Sequence, residues 1–233
     1  MIDYAKILQN GVEISSSGTT GPSKTVFRTP KNLQACIDVA VDAQQLVRSS
    51  KVLTVTRMTH AGGLLTQTLP AYSIGAEFKV QKFNAFTFLK DFANYTHTFL
   101  APAQMTALIN TKGFVDCDLT GKRILGGSDP VTWEMIEAFV SKGAIVQPNW
   151  GMSEIGPITI NIEFDNMQKV QHVKERCFEQ YTILGDTYYC DWKVDNHELY
   201  VKGPTSIYDD WFATKDIVAL DMNKRMYYKG RKQ

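Results

Sequence analysis

The sequence lacks three features that would each assign a class of protein. The four cysteines (Cys36, Cys117, Cys177 and Cys190) include no C-x-x-C pair and have no histidine at zinc-ligand spacing, which excludes a zinc finger and favours reduced thiols. Lysine and arginine total 25 against 24 acidic residues, and a net charge of +1 exerts no pull toward nucleic acid or an anionic membrane. No apolar run approaches the roughly 20 residues of a membrane span, and the first residues do not form a signal peptide. We therefore expect a cytoplasmic protein that binds neither nucleic acid nor membrane.

What the sequence does have is a regular alternation of elements. Its 233 residues are 44% hydrophobic, enough for a full core. Strand-like and helix-like runs alternate through the first two-thirds, for example a helix over 31–47 followed by a buried strand over 51–58. After about residue 156 the runs become short and rich in β-branched and aromatic residues. This pattern predicts an α/β fold, with a parallel-rich sheet flanked by helices in residues 1–156 and a smaller antiparallel, barrel-like part in residues 157–233.

Four loops are candidates for a ligand site because each follows a predicted strand. Ligands of open parallel sheets bind outside the carboxyl ends of the strands. The loops in question cover residues 15–24, 57–63, 126–130 and 149–154.

The first of these loops, "GTTGPSKT" from Gly18 to Thr25, has the composition of an anion site. Glycines let successive backbone N–H groups converge on an anion, while hydroxyls and a lysine add donors and charge. It is one residue short of a Walker A loop, because Ser23 replaces the second glycine. A Walker loop must also open directly into a helix, whereas "TVFRTP" follows here and predicts a strand. A P-loop nucleotidase is therefore disfavoured.

A second pattern fits the whole run "SSSGTTGPSKTVFRTPKNL". It resembles the signature loop of the adenylate-forming enzymes, which include acyl- and aryl-CoA ligases and the adenylation domains of peptide synthetases, with Ser23 at a position where proline is usual. Further segments similar to motifs of this family follow in the same order: "MTHAGG", "LGGSDP", "NWGMSE", "HELYVKGPTSIYDDWFATKD" and "YKGRKQ". Lys215 departs from the pattern by replacing a glycine. The matches span nearly the whole chain.

The resemblance implies an enzyme that joins a carboxylic acid to ATP as an acyl-adenylate and releases pyrophosphate, with Mg²⁺ as a cofactor. It implies nucleotide-binding roles for Ser16, Ser17, Gly18, Thr19, Thr20, Gly21, Lys24, Gly127, Ser128, Asn149, Trp150, Gly151, Asp216 and Arg231. Catalytic roles fall to Lys24, His60, Ser153 and Glu154. Among these, Glu154 is the expected Mg²⁺ ligand, because Mg²⁺ prefers oxygen donors. Asp216 and Arg231 are expected at the ribose.

Two of these assignments have structural alternatives. Trp150 either stacks on adenine or is a core tryptophan at a strand end. His60 either faces the acyl carboxylate, or gates its pocket, or is a structural histidine.

The chain also departs from the family in length. Family members extend further at both ends, and no residue here matches the lysine of their small, mobile C-terminal domain, so we expect that lid domain to be absent. Two hypotheses follow: a minimal AMP-forming acid ligase, or a non-catalytic ATP- or AMP-binding relative that needs a partner for turnover. Coenzyme A or a carrier, and a homodimer or a partner that supplies the missing domain, are further partners that the resemblance suggests. The acid itself is not identified, although "MTHAGGL" and "GMSEIGP" most resemble acyl- and aryl-CoA ligases, among them the o-succinylbenzoate–CoA ligases.

Overall fold

The computed structural model of the chain describes residues 2–15, 24–178 and 181–232, and the strands in these ranges form three sheets. The strands are β1 Val12–Ser15, β2 Thr25–Arg28, β3 Lys51–Thr54, β4 Glu77–Val80, β5 His97–Leu100, β6 Arg123–Gly126, β7 Ile145–Met152, β8 Gly156–Asn161, β9 Thr182–Gly185, β10 Thr187–Tyr188, β11 Asp191–Asp195, β12 Glu198–Lys202, β13 Phe212–Leu220 and β14 Met226–Arg231. The helices are α1 Tyr4–Asn10, α2 Pro30–Gln44, α3 Ala61–Gly63, a π-helical turn Leu64–Thr68, α4 Leu69–Ser73, α5 Phe88–Phe92, α6 Pro102–Ile109, α7 Lys112–Val115, α8 Trp133–Val140 and α9 Met167–Lys174. None of the helices in these ranges is long and apolar enough to cross a membrane.

A seven-stranded sheet forms the centre, in the order β10-β8-β7-β6-β5-β3-β4. Strands β4, β3, β5, β6 and β7 are parallel, and β8 and β10 extend the sheet antiparallel. Neighbouring residues of a strand face opposite sides, as β geometry requires. Thus Phe99 packs with the apolar face of α2, whereas Leu100 packs with α6 and α8 on the other side. The predicted α/β fold with a parallel-rich sheet between helices is confirmed.

The helix α2 has clear sequence signals at its start. Thr29 is the N-cap, and its hydroxyl accepts a hydrogen bond from the backbone N–H of Asn32. Pro30 occupies the first turn, where its missing N–H costs nothing. The helix ends at Gln44, and Gln45 takes a left-handed conformation with φ of 54°.

A π-helical turn, Leu64–Thr68, precedes α4, whose second residue is Pro70. Pro70 has no N–H for the carbonyl of Thr66, four residues earlier. The side-chain amide of Gln44 donates to that carbonyl instead, at 2.7 Å. A glutamine of α2 thereby stabilises the helix that lies beside it.

Five strands of the last third of the chain form an antiparallel sheet, in the order β11-β12-β13-β14-β9, whereas β8 and β10 belong to the central sheet. It packs against the end of β7 and against β8 through an apolar cluster that includes Trp150, Ile160, Val201 and Val218. Residues 156–161 belong to the central sheet, and the second sheet starts at β9. A division into two domains at residue 156 stays a prediction, because sheet membership alone does not define a domain.

Candidate active site

The predicted phosphate loop, residues 15–24, connects β1 to β2. Ser15 pairs with Thr25, so the chain leaves and re-enters the hairpin at one end. Lys24 is exposed and immediately precedes β2. The remaining loop residues with a predicted nucleotide-binding role lie outside the described residues: Ser16, Ser17, Gly18, Thr19, Thr20 and Gly21. The strand predicted after the loop is confirmed, and the segment after Lys24 therefore does not offer the helix N-terminus that a Walker loop needs.

The segment that carries His60 is tied to this hairpin. The backbone N–H of Ser15 donates to the carbonyl of Thr59, the residue before His60, at 2.9 Å. His60 is half-buried, and its pKa is lowered by burial and by the nearby charge of Arg57, so its imidazole is neutral at neutral pH. A neutral ring suits either a pocket-lining or a structural role, and both interpretations of His60 stay predictions.

The carboxyl ends of β6 and β7 meet at one edge of the central sheet. The side-chain amide of Asn149, in β7, donates to the carbonyl of Gly126, the last residue of β6, at 2.9 Å. A Cβ on Gly127 would lie 3.1 Å from three atoms of Asn149, so this approach leaves little room for a side chain at position 127. Ser128 then turns away with φ of 74°, in the left-handed region. The loop that includes Gly127 and Ser128, both predicted to bind the nucleotide, thus lies at the edge where α/β sheets bind ligands.

Trp150 and Asp216 join the two larger sheets. Trp150 is 8% exposed and lies in the apolar cluster between them, surroundings that favour its interpretation as a core residue. Its indole N–H donates to Oδ2 of Asp216 at 2.8 Å. Arg231, on the neighbouring strand β14, places its Nη1 3.7 Å from the other carboxylate oxygen, Oδ1. The three residues predicted for adenine and ribose therefore lie together, although none of their predicted contacts with a nucleotide is tested.

Opposing influences act on the pKa of the Asp216 carboxyl. Burial raises its pKa above the ordinary value, and the charge of Glu198 acts in the same direction. The Trp150 hydrogen bond and the Arg231 charge oppose this shift but do not cancel it. A buried carboxylate with one oxygen held by an indole is the type of acceptor that can orient hydroxyl groups of a ligand.

Ser153 and Glu154 lie in the tight turn between β7 and β8. A Cβ on Gly151 would fall well inside contact distance of the Gly156 carbonyl oxygen, so this turn requires glycine there. Both Ser153 and Glu154 are half-buried, and the backbone carbonyl of Glu154 accepts from the N–H of Ile207 at 3.0 Å. Asn149, Trp150 and Gly151 belong to β7 itself, which continues through the segment predicted as a loop.

Arg28, Glu198 and Lys232 lie near these segments, and the sequence predicted no role for them. Arg28 is fully buried and donates to the carbonyl of Ser153. Glu198 accepts from the backbone N–H of Lys215 at 3.2 Å and from the ammonium of Lys232 at 2.7 Å. Position could have indicated Arg28, because residue 28 follows Val26 at the spacing of inward-facing strand residues.

The described residues include no group of three or more histidine, cysteine, aspartate or glutamate side chains that could hold a metal ion by themselves. Mg²⁺ at phosphates is commonly held by one or two carboxylates, with the substrate supplying other ligands. A single carboxylate such as Glu154 is consistent with that arrangement. The surface has a depression of about 480 Å³, lined by residues within 115–120 and 141–143, and a second of about 390 Å³, lined by residues within 34–42 and 73–74. Neither depression includes a residue predicted for the site.

The fold is that of adenylate-forming domains. MatB from Rhodopseudomonas palustris with bound ATP superimposes with a TM-score of 0.77 at 18% identity, over 94% of this chain and 47% of that one. The adenylation domain of a keto acid-selecting NRPS module, bound to a keto acyl adenylate, reaches a TM-score of 0.80 at 19% identity, over 96% and 52% of the two chains.

The sequence comparison identifies the family. Residues 14–206 match the family described as AMP-binding enzyme, and the chain belongs to it. Indoleacetate–CoA ligase of Aromatoleum aromaticum is 26% identical over 239 residues, which cover 94% of this chain and 47% of the relative. 4-Coumarate–CoA ligase 1 of Oryza sativa subsp. japonica is 27% identical over 61% of this chain and 27% of its own length. The chain therefore spans at most about half the length of these curated relatives, and the resemblance to adenylate-forming enzymes is confirmed.

Proposed function

We propose that this chain activates a carboxylic acid with ATP, forming an acyl-adenylate and pyrophosphate. A carboxylate oxygen of the acid would attack the α-phosphorus, and the bond to the oxygen that bridges to the β-phosphorus would break, so that pyrophosphate leaves with the bonding electrons. Such a reaction needs the two anions to be positioned in line and the charge on the phosphate oxygens to be stabilised.

The observation that carries the proposal is the Trp150–Asp216–Arg231 arrangement in a chain of the AMP-binding family. The carboxylate of Asp216 is buried, oriented by the indole at 2.8 Å, and flanked by a guanidinium at 3.7 Å. In the proposed complex Asp216 accepts from the ribose hydroxyls, while Arg231 adds a donor beside them. Gly127 and Ser128 line the adenine with backbone groups at the carboxyl edge of the sheet.

The phosphates would lie between the β1–β2 hairpin and the turn that follows β7. Lys24, with the hydroxyl residues of the preceding loop, supplies donors and positive charge to the β- and γ-phosphates. Ser153 donates to the α-phosphate, and the carboxylate of Glu154 holds Mg²⁺. When bound, Mg²⁺ neutralises charge on the phosphate oxygens. His60 faces the acid in this proposal, as a neutral ring.

The proposed substrate class is based on the names of two relatives. Both curated relatives are named as CoA ligases of aromatic carboxylic acids, so aryl-acetic and aryl-propenoic acids are the first candidates for this chain. Coenzyme A or a carrier as a further substrate, a second copy or another chain as a partner, and a cytoplasmic location stay predictions that adenylation itself does not require.

Exchange of labelled pyrophosphate into ATP, measured with Mg²⁺ and a panel of carboxylic acids, tests the proposal. We expect acid-dependent exchange, lost in Glu154→Gln and in Lys24→Ala. Glu175→Gln is a matched control, because Glu175 is an exposed glutamate just after α9. Binding of ATP without exchange for any acid would instead support a nucleotide-binding protein without turnover.

A further inference from the structure

Arg28 is the most deeply buried charged residue among those the structure describes. It ends strand β2, and its side chain is completely buried. Nε and Nη2 both donate to the carbonyl oxygen of Ser153, at 3.2 and 2.5 Å, and Nη1 donates to the carbonyl oxygen of Thr205 at 2.5 Å. Nη1 also lies 3.4 Å from Sγ of Cys36, on α2. The guanidinium therefore joins three separate segments of the chain to β2.

Folding stability alone does not account for an arginine at this position. Among the described residues, no carboxylate lies within ion-pair distance of Arg28, and burial lowers its pKa, although Cys36 and the nearby Glu154 act in the opposite direction. A buried charge without a carboxylate at ion-pair distance costs free energy, and an apolar side chain of similar volume would fill the same space at lower cost. An arginine here suggests a task that an apolar residue cannot perform.

The segments that Arg28 joins are those of the candidate site. The β1–β2 hairpin carries the phosphate loop, and Ser153 directly precedes Glu154 in the turn after β7. The third segment, residues 203–211, connects β12 to β13. It contacts the turn a second time, because the N–H of Ile207 donates to the carbonyl of Glu154 at 3.0 Å. The side-chain amide of Asn32 holds the same connector through the carbonyl of Ser206, at 2.8 Å.

The backbone carbonyls of Ser153 and Glu154 belong to the two peptide groups that flank the Cα atom of Glu154. Both carbonyls are held in place by hydrogen bonds. The carbonyl of Ser153 is held from the hairpin by Arg28, and that of Glu154 is held from the connector by Ile207. Two fixed carbonyls leave the backbone of residue 154 little freedom. The direction of the Glu154 carboxylate then depends mainly on its own side-chain torsions.

We propose that Arg28 is a positioning residue for acid activation: it fixes the Ser153–Glu154 turn against the phosphate-loop hairpin and the 203–211 connector, and so orients the Glu154 carboxylate toward the divalent cation of the nucleotide. This inference rests on the proposed function. It predicts that Arg28 affects use of the cation without contacting cation, nucleotide or acid.

The test compares Arg28→Lys and Arg28→Met with the same two changes at Arg123. Arg123 is a matched control because it is also a buried arginine, 5% exposed, but it pairs with Glu163 on the central sheet. The readout is the Mg²⁺ concentration that gives half-maximal pyrophosphate exchange. Removing a residue that orients a metal ligand usually costs about 10–100-fold in metal affinity or activity, and we expect a shift in that range for Arg28→Met.

We expect a smaller shift for Arg28→Lys, because an ammonium can donate to carbonyls but lacks the planar fork that serves two carbonyls at once. The KM for the acid should change little. If Arg28→Lys only lowers the amount of folded protein and leaves the Mg²⁺ midpoint of the remaining activity unchanged, the proposal is wrong. Arg28→Lys also carries the test if Arg28→Met fails to fold.

Hydrogen exchange at the backbone amide of Ile207 gives a readout that does not depend on activity. Loss of the Arg28 contacts should free the turn and connector, and the Ile207 amide should exchange faster in Arg28→Lys than in the unmodified protein and in Arg123→Lys. If the unmodified protein shows neither ATP binding nor pyrophosphate exchange, the proposed function fails. Faster hydrogen exchange at the Ile207 amide in Arg28→Lys would still support the positioning contact. Unchanged exchange at Ile207 would overturn the role of Arg28 whatever the activity.

Discussion

Replacing Asp216 by asparagine should weaken ATP binding without weakening the fold. Asparagine keeps the size of the side chain, and its carbonyl oxygen can still accept from the indole of Trp150. Its NH₂ group would then face Arg231, where Asp216 now places an oxygen 3.7 Å from Nη1. A donor in that position cannot accept a ribose hydroxyl and carries no charge to attract the guanidinium.

The expected loss of ATP affinity follows from the contacts of the two carboxylate oxygens of Asp216. One carboxylate oxygen is already held by Trp150, so the ligand hydroxyls depend on the other oxygen and on the remaining lone pairs. The side chain is only 6% exposed, so solvent screens these contacts little. Hydrogen bonds to a charged group contribute about 1.5–3 kcal/mol, which corresponds to a loss of affinity of roughly 10–150-fold at about 1.4 kcal/mol per factor of ten.

The stability of the free protein should respond in the opposite direction. Burial raises the pKa of Asp216 in the folded state, so between the ordinary pKa and the raised one the folded chain binds more protons than the unfolded chain. The contribution of Asp216 to stability therefore falls as the pH rises through this window, and at neutral pH the buried charge is a cost. Asp216→Asn removes this pH dependence, and we expect the free energy of unfolding at pH 7 to stay equal or increase.

Calorimetric titration with ATP and urea unfolding at pH 5 and pH 7 measure the two effects. Asp165→Asn serves as the control, because Asp165 is exposed and precedes α9. ATP affinity within twofold of the unmodified protein would refute the ribose assignment. A large loss of unfolding free energy in Asp216→Asn would show instead that Trp150, Asp216 and Arg231 form a structural network.

Three further predictions concern stability. His97 is buried, and mainly for that reason its pKa is lowered to about 4. Its contribution to stability is therefore full above the ordinary pKa of 6.5 and is lost as the pH falls from there toward 4. Urea unfolding should show a loss of up to about 3 kcal/mol over that range, and His97→Gln should not show it. Lys215 has φ of 64°, and Lys215→Gly should raise the free energy of unfolding by about 1 kcal/mol through relief of left-handed strain, with a lowered value contradicting this account. Gln44→Met should cost about 1–3 kcal/mol in thermal or urea unfolding because it leaves the Thr66 carbonyl, which Pro70 cannot satisfy, without its donor; a neutral effect would mean that water takes the place of Gln44.

Local sequence signals predicted the features of the fold that depend on neighbouring residues. The helix α2 was predictable because Thr29 and Pro30 start it and apolar residues recur at helical spacing. The parallel-rich sheet followed from alternating strand and helix patterns. The extent of β7 was not predictable, since the segment from Asn149 to Met152 contains a glycine and reads locally as a loop, yet it pairs with β8. Pairing partners that lie in a later strand decide such a case, and they are not written in the local pattern.

For the candidate site, too, the sequence predicted some features and not others. Motif order predicted roles for Glu154 and Asp216 without any knowledge of their surroundings, and these roles stay predictions. The strand pattern could indicate that Arg28 faces inward, but its partners were not predictable, because Arg28 lies 125 positions from Ser153 and 177 from Thr205 along the chain, and only folding brings these groups together. A motif predicts which groups meet a ligand, whereas the accuracy of their placement depends on buried polar contacts between distant segments. We therefore expect substitution of Arg28 to shift the Mg²⁺ dependence of the proposed activity, and substitution of Glu154 to abolish that activity.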